Sequence, residues 1–359
     1  MTTQRAMAKE SPLPPGGVEE VREFVRSNLE RVASELSSLG IPRPHLDGKI
    51  LRPLAGYLIV PPHRRADLDD RFWRGALAVE MVHEASLLHD DILDEAPQRR
   101  GKPTMAAAAG VGPALVLGDH LLTGAYRAAA ATGSPEFLDV FIRSVERTVA
   151  GEIAQEKSQG RILGLSEYRR IITGKSGELF RAGFALAQTF TGISTSERLG
   201  SLGARFGALY QMVDDFLDYC AEADRGKEPL QDYRQRKWTW PLDLIEVSDF
   251  ESTSTENRTR RFERDGMGNP SVMEGGAEQM GRHFENLINT LSSEGVEVSE
   301  LRGLLDGWHR ALQDGALAEA EAFPVLGLIS TEPQGEAKDN SGAALGRPAA
   351  RMRGARART

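Results

Sequence analysis

Two short acidic runs are the residues best placed to do chemistry. The first is His89-Asp90-Asp91-Ile92-Leu93-Asp94 and the second is Gln211-Met212-Val213-Asp214-Asp215-Phe216-Leu217-Asp218. In each, the first and last aspartates are four residues apart, so on a helix both carboxylates leave the same face. Like charges at that spacing repel, and neither run has a basic partner one turn away. The arrangement gains stability only when a cation or a polar surface neutralises it. Hard divalent cations prefer carboxylate oxygens, and Mg²⁺ is usually held by one or two carboxylates together with substrate phosphates. The bland reading, two solvated acidic helix ends, weakens because the pattern occurs twice, each time among apolar residues.

Basic groups that could grip diphosphate lie around both runs. Arg99 and Arg100 follow the first, in the turn Arg99-Arg100-Gly101-Lys102-Pro103-Thr104. Lys49 and Arg52 lie upstream, Lys175-Ser176 falls within a helical segment, and Lys227 and Lys237 follow the second run. Arginine binds phosphate bidentately and lysine as a point charge. Singly each would pass for a surface cation. Together they describe a site where a divalent ion bridges protein carboxylates and a diphosphate.

Helices must position these groups. From Val18 to Leu39 apolar residues recur at helical spacing, and Gly40 and Pro42 stop the segment. Comparable segments are expected at about 73–95, 113–131, 135–158, 166–192 and 196–223, and amphipathic helices near 277–293 and 298–316. The polar stretch between Ser248 and Gly276 reads as a long loop or a frayed helix. Alternating β-branched runs are nearly absent, so the fold class is all-α.

Composition sets the limits. The chain has 359 residues, 44 basic and 52 acidic, with a net charge of −8, which argues against a nucleic-acid partner. A single cysteine, Cys220, excludes a disulfide framework and a cysteine-based zinc site and suits the cytoplasm. The most hydrophobic uncharged stretch, Met105–Gly118, is 14 residues long and is broken by Gly110, Gly112 and Pro113. A bilayer span needs about 20 apolar residues, so no transmembrane segment is expected. Residues 1–16 read as a flexible leader without the apolar core of a signal peptide, and 17–325 as one helical catalytic domain. Residues 326–359 read as a disordered tail, ending in Arg347, Arg351, Arg353, Arg356 and Arg358.

Taken in order, these motifs resemble the trans-isoprenyl diphosphate synthase (polyprenyl synthetase) family, of the geranylgeranyl diphosphate synthase kind. The stretch EMVHEASLLHDDILDEAPQRRGKPT (80–104) is similar to the family's first aspartate-rich region, and FGALYQMVDDFLD (206–218) to its second. DGKILRP, Lys175-Ser176 and GKEPLQDYRQRKWTWP resemble its remaining elements, over a span of about 45–245. Ile50 stands where the family has a basic residue, and Leu230 and Arg236 where it usually has glycines.

The resemblance implies an isoprenoid synthase-type bundle of about ten or more helices around a central apolar cavity. It implies Mg²⁺, three per site, with Mn²⁺ able to substitute, and a homodimer. Asp90, Asp94 and Asp214 would be direct ligands, with Asp91, Asp215 and Asp218 nearby or acting through water. Arg99, Lys175, Ser176, Gln211, Lys227 and Lys237 would hold an allylic diphosphate. Lys49, Arg52, His83 and Arg100 would hold isopentenyl diphosphate.

The implied reaction follows from charge. An allylic C–O bond breaks heterolytically when the leaving diphosphate is neutralised. The double bond of isopentenyl diphosphate attacks the cation, and the departed diphosphate takes the proton. The cavity must exclude water, which would quench the cation. Ala85 and Ser86, about one turn below Asp90, would set chain length. Being small, they leave the well open, so the expected product is C20 or longer, geranylgeranyl diphosphate first. Two other readings use the same residues: a terpene cyclase or a prenyltransferase to another acceptor, and a non-catalytic partner subunit. Retention of Lys49, Arg52, His83 and Arg100 argues against a cyclase, which needs no second diphosphate site, and retention of all six aspartates argues against a silent subunit.

Overall fold

The computed structural model describes residues 17–38, 46, 48–194, 196, 198–218, 231–245 and 270–314. The expected leader and Arg-rich tail, Lys227 and Cys220 lie outside the described residues. The chain is all-α, and among the described residues the one exception is a small hairpin. In order the helices are α1 (Val18–Ser38), α2 (Leu51–Leu58), α3 (Pro62–Arg65), α4 (Asp70–Leu93), α5 (Met105–Ala109), α6 (Val111–Ala130), α7 (Pro135–Ser158), α8 (Leu165–Ile172), α9 (Glu178–Thr191), α10 (Leu199–Asp218), α11 (Gln231–Arg234), α12 (Pro270–Ser293) and α13 (Ser299–Asp314). Among the described residues no helix is long and apolar enough to cross a membrane.

Helix α4 runs through the middle of the bundle. Most of it is buried, including Phe72, Trp73, Leu77, Met81 and Ala85. It starts where Asp69 accepts a hydrogen bond from the Arg71 backbone amide, a side-chain cap that satisfies a donor the helix leaves over. Helices α6 and α9 pack along it, and α9 in turn packs on α2, α7 and α10. On α7 the start is set by Ser134, whose hydroxyl accepts from the Phe137 amide at 3.1 Å, with Pro135 in the first turn. Trp308 of α13 closes the far side against Phe206 and Tyr210 of α10.

Three features differ from the sequence expectation. Helix α2 was not foreseen, because LRPLAGYL is two turns long and carries Pro53; it is held by burial of nearly all its side chains. The segment expected as one helix over 166–192 contains a π-helical turn, Thr173–Gly177, between α8 and α9. Helix α12 is described from Pro270, so its first residues fall within the stretch read as a long loop or a frayed helix up to Gly276. After α4, β1 (Gln98–Arg99) pairs antiparallel with β2 (Lys102–Pro103), in the register Gln98↔Pro103 and Arg99↔Lys102. Arg100 and Gly101 take φ 52° and 72° at its tip, the sign a tight two-residue hairpin requires.

Candidate active site

The first aspartate run ends α4, and its three carboxylates face different partners. Asp91 is 5% exposed and accepts from Arg99 Nε at 2.7 Å. Burial raises the Asp91 pKa, opposed by Arg99 and helped by Asp90 and Asp94. Asp90 lies 3.9 Å from Lys175 Nζ. Asp94, at the helix C-cap, accepts from Lys237 Nζ at 2.8 Å.

The second run ends α10. Asp215 is buried and doubly held, accepting from the Tyr168 hydroxyl at 2.5 Å and from Gln211 Nε2 at 2.7 Å. Burial pushes its carboxyl well above the ordinary range, and Asp232 and Asp214 add to this against the two hydrogen bonds. Gln211 also accepts from the Ser176 hydroxyl at 2.6 Å. Asp218 accepts from the Asp232 backbone amide at 3.2 Å, while Asp214 is exposed.

The two rims are joined by two bridges. One runs from Asp90 to Lys175, then through Ser176 to Gln211 and Asp215. The other runs from Asp94 to Lys237, whose backbone amide donates to Asp232 O, and from the Asp232 amide to Asp218. Aspartates more than a hundred residues apart thus border one site.

Lys175 reaches the first rim because of the π-helical turn that carries it. That turn lies against Gly151 of α7, where a Cβ would sit 2.3 Å from the Lys175 backbone nitrogen, and against α10, where a Cβ on Gly177 would sit 2.4 Å from Ala204 O. Only glycine permits these approaches. From there Lys175 Nζ donates to Gln155 at 2.7 Å and pairs with Glu152 at 2.8 Å. Burial alone would lower the Lys175 pKa, but Asp90, Glu152 and Asp94 hold it above the ordinary amine value. Glu152 is raised by burial, against the pull of Lys175.

The remaining cations come from other elements and act on the stretch of α4 that carries Glu80 and His83. Arg52, at the start of α2, has its pKa lowered by burial, countered by Glu80, Tyr210 and Glu84. Arg100 acts on Arg52 in the opposite sense to these three. Burial lowers the His83 pKa well below its usual value, as do Arg52, Arg100 and Arg99, so the ring is neutral. Lys49 is exposed at the mouth. Ala85 is buried, and the half-buried Ser86 donates to His83 O at 2.8 Å.

Several site residues were not visible as such in the sequence: Glu152 and Gln155, which lie one turn apart on α7, Tyr168, Asp232, Glu80 and Glu84. The i, i+3 spacing of Glu152 and Gln155 was the one available signal. The tryptophans near Thr239 have a structural part. Trp240 donates its indole N–H to Met212 O at 2.8 Å and stacks on Phe216, and Trp238 meets Tyr168 edge-on. They anchor the segment that delivers Lys237.

Among the described residues no three Asp, Glu, His or Cys side chains converge into a closed metal site. The donor set fits a different kind of ion. Asp90, Asp94, Asp214 and Asp218 are open or partly open to the site, in twos on each rim, whereas Asp91 and Asp215 are committed to Arg99, Tyr168 and Gln211. One or two carboxylates per ion, completed by water and phosphate oxygens, is what Mg²⁺ takes.

The sequence pattern of the polyprenyl synthetase family matches residues 43–263. The chain belongs to this family, a family of prenyltransferases. Polyprenyl synthetases among its relatives include the nonaprenyl diphosphate synthase of Mycobacterium tuberculosis, 31% identical over 230 residues, which are 63% of this chain and 68% of that protein. The octaprenyl diphosphate synthase of Escherichia coli is 33% identical over 171 residues, 46% of this chain and 53% of that one, so the chain spans only about half of that relative's length. The geranylgeranyl diphosphate synthase of Sulfolobus acidocaldarius is 28% identical over 233 residues, 62% of this chain and 70% of that one. A polyprenyl synthase structure from Caulobacter crescentus, complexed with calcium and isoprenyl diphosphate, superposes with a TM-score of 0.65 over 85% of this chain and 97% of that one, at 24% identity. The isoprenoid synthase fold is therefore shared.

Proposed function

We propose that this polyprenyl synthetase is a Mg²⁺-dependent enzyme that adds isopentenyl diphosphate to an allylic diphosphate and releases an all-trans polyprenyl diphosphate of C20 or longer, geranylgeranyl diphosphate first. The observation that carries the reading is the pair of bridges between the rims, Lys175 on Asp90 continuing through Ser176 and Gln211 to Asp215, and Lys237 on Asp94 continuing through Asp232 to Asp218. Asp90, Asp94 and Asp214 would hold Mg²⁺, with Asp218, Asp91 and Asp215 in support. When bound, the ions supply charge neutralisation to the leaving diphosphate.

The chain's own residues do the rest. Lys175, Arg99 and Lys237 grip the allylic diphosphate, with Ser176 and Gln211 beside them, and Lys227 is assigned to the same group. Lysines paired with carboxylates of the rim are held in place for this task. Lys49, Arg52, His83 and Arg100 take the isopentenyl diphosphate; His83, being neutral, donates or accepts without adding charge. Below the rims the buried aliphatic faces of α4 and α9 keep water from the allylic cation.

Chain length follows from the wall under Asp90. Ala85 is small and buried there, and Met81, one turn deeper, has its methyl in the notch left by Gly124 of α6, where a Cβ would lie 2.5 Å away. A small side chain directly below the rim supports a product of C20 or longer.

We further propose a cytoplasmic homodimer. Six of the large exposed apolar side chains lie on two neighbouring helices, Val111, Leu115 and Val116 on α6 and Ile142, Val149 and Ile153 on α7. A contiguous apolar face of this kind fits a second copy of the chain.

The test is incubation of the purified protein with isopentenyl diphosphate and dimethylallyl, geranyl or farnesyl diphosphate, with and without Mg²⁺. Elongated diphosphates that disappear on chelation and return with Mg²⁺ are expected. Cyclic hydrocarbons, or no turnover with any donor, would refute the proposal.

A further inference from the structure

A buried acid pair sits beneath the acceptor-side cations. Glu80 and Glu84, one turn apart on α4, are 0% and 3% exposed. Neither Glu80 oxygen has a well-formed hydrogen bond; the Ile50 backbone amide faces the carboxyl without closing one. Arg52 Nε is likewise buried without a hydrogen-bond partner. The turn that carries Lys49 and Arg52 rests directly on the pair: a Cβ on Gly48 would lie 2.6 Å from Glu84 Oε1 and 3.0 Å from Glu80 Oε1. Two residues on, Ile50 takes φ 55°, ψ 31°, a left-handed conformation that a β-branched residue adopts only when its surroundings impose it.

Resting on the acceptor side assigned above, we propose that Glu80 and Glu84 are a proton-sharing carboxyl pair that positions the Gly48–Arg52 turn, so that affinity for the acceptor diphosphate depends on whether the pair keeps its proton. Two carboxylates this close and this buried do not both ionise cheaply. With one proton between them they carry a single charge beside Arg52, whose guanidinium remains available to a diphosphate. When the proton leaves, the second carboxylate binds Arg52 inward and repels its neighbour under Gly48, and a diphosphate must compete for the arginine.

The groups around the pair set the range. Burial and then Glu84 raise Glu80 to about 8, against Arg52 of α2 and Arg100 of the hairpin. His83 and Tyr210 are coupled to Arg52 in turn. Helices α6 and α9 approach α4 closely at Gly118 against His89, Gly124 against Met81, and Gly75 against Leu186.

Both direct binding of isopentenyl diphosphate, by calorimetry, and its KM at saturating allylic diphosphate are to be followed across pH 8 in the full chain. The expected wild-type result is weakening of up to about tenfold per pH unit above the midpoint, the limit for one proton, with the allylic KM unchanged. Glu80→Gln abolishes the dependence and holds the low-pH affinity. Glu84→Gln likewise leaves at most one charge beside Arg52, so it too removes the weakening across pH 8. Acceptor affinity flat across this range in wild type, or rising KM retained in Glu80→Gln, would overturn the proposal. Binding that shows the dependence without elongation would leave the pair standing and refute the synthase reading instead.

Discussion

Replacing Gly151 by alanine should damage the site through the backbone of Lys175. The new Cβ would lie 2.3 Å from the Lys175 backbone nitrogen and 2.7 Å from the Gly174 carbonyl carbon, against about 3.4 Å for ordinary contact. The three nearest atoms are all backbone, so no side chain can swing aside. The π-helical turn must retreat by about 1 Å or α7 must bend. Overpacking of this kind costs roughly 1–3 kcal/mol of stability. Lys175 would then lose the geometry that places its amine 2.8 Å from Glu152, 2.7 Å from Gln155 and 3.9 Å from Asp90. Displacement of a positioned group by about 1 Å can cost on the order of 100-fold in rate. The assay is kcat with saturating diphosphates alongside a thermal melt, for Gly151→Ala, Lys175→Ala and the double variant. Both single variants should be slow, and Gly151→Ala should add almost nothing to the rate loss in the Lys175→Ala background while still lowering Tm. A folded Gly151→Ala enzyme with wild-type kcat, or full additivity in the double variant, would refute the claim that this glycine acts through Lys175.

Two further outcomes are expected. Ala85→Phe puts a bulky ring one turn below Asp90 and should shift the products toward C15 by chromatography of the dephosphorylated alcohols; unchanged chain length would show that Ala85 does not face the growing chain. Ile153→Arg, placed in the apolar face of α7, should convert a dimer to monomer in sedimentation equilibrium at micromolar concentration, and an unaltered dimer would move the interface elsewhere.

Much of the architecture was legible because helical periodicity is local. The apolar spacing in residues 18–39 and 135–158 marks α1 and α7, and caps such as Ser134-Pro135 mark where one begins. Helix α2 escaped because eight residues give too few repeats to show a period, and the π-helical turn escaped because its cause is Gly151 on another helix. Likewise the carboxylate pairs at i, i+4 announce an ion-binding rim in either run without saying which oxygens remain available.

By itself the amino-acid sequence determined the all-α class, the two aspartate rims and the cations able to face a diphosphate, since each depends on residue type and on spacing within a few turns. Tertiary structure alone decided that Arg99 takes Asp91 and Tyr168 takes Asp215, that Lys175 and Lys237 join the rims, and that Glu80 and Glu84 lie buried under the Gly48 turn. Those partners come from elements far apart in the chain. Which of them meet depends on where helices cross and how closely their backbones approach, and no local pattern of side chains encodes that distance.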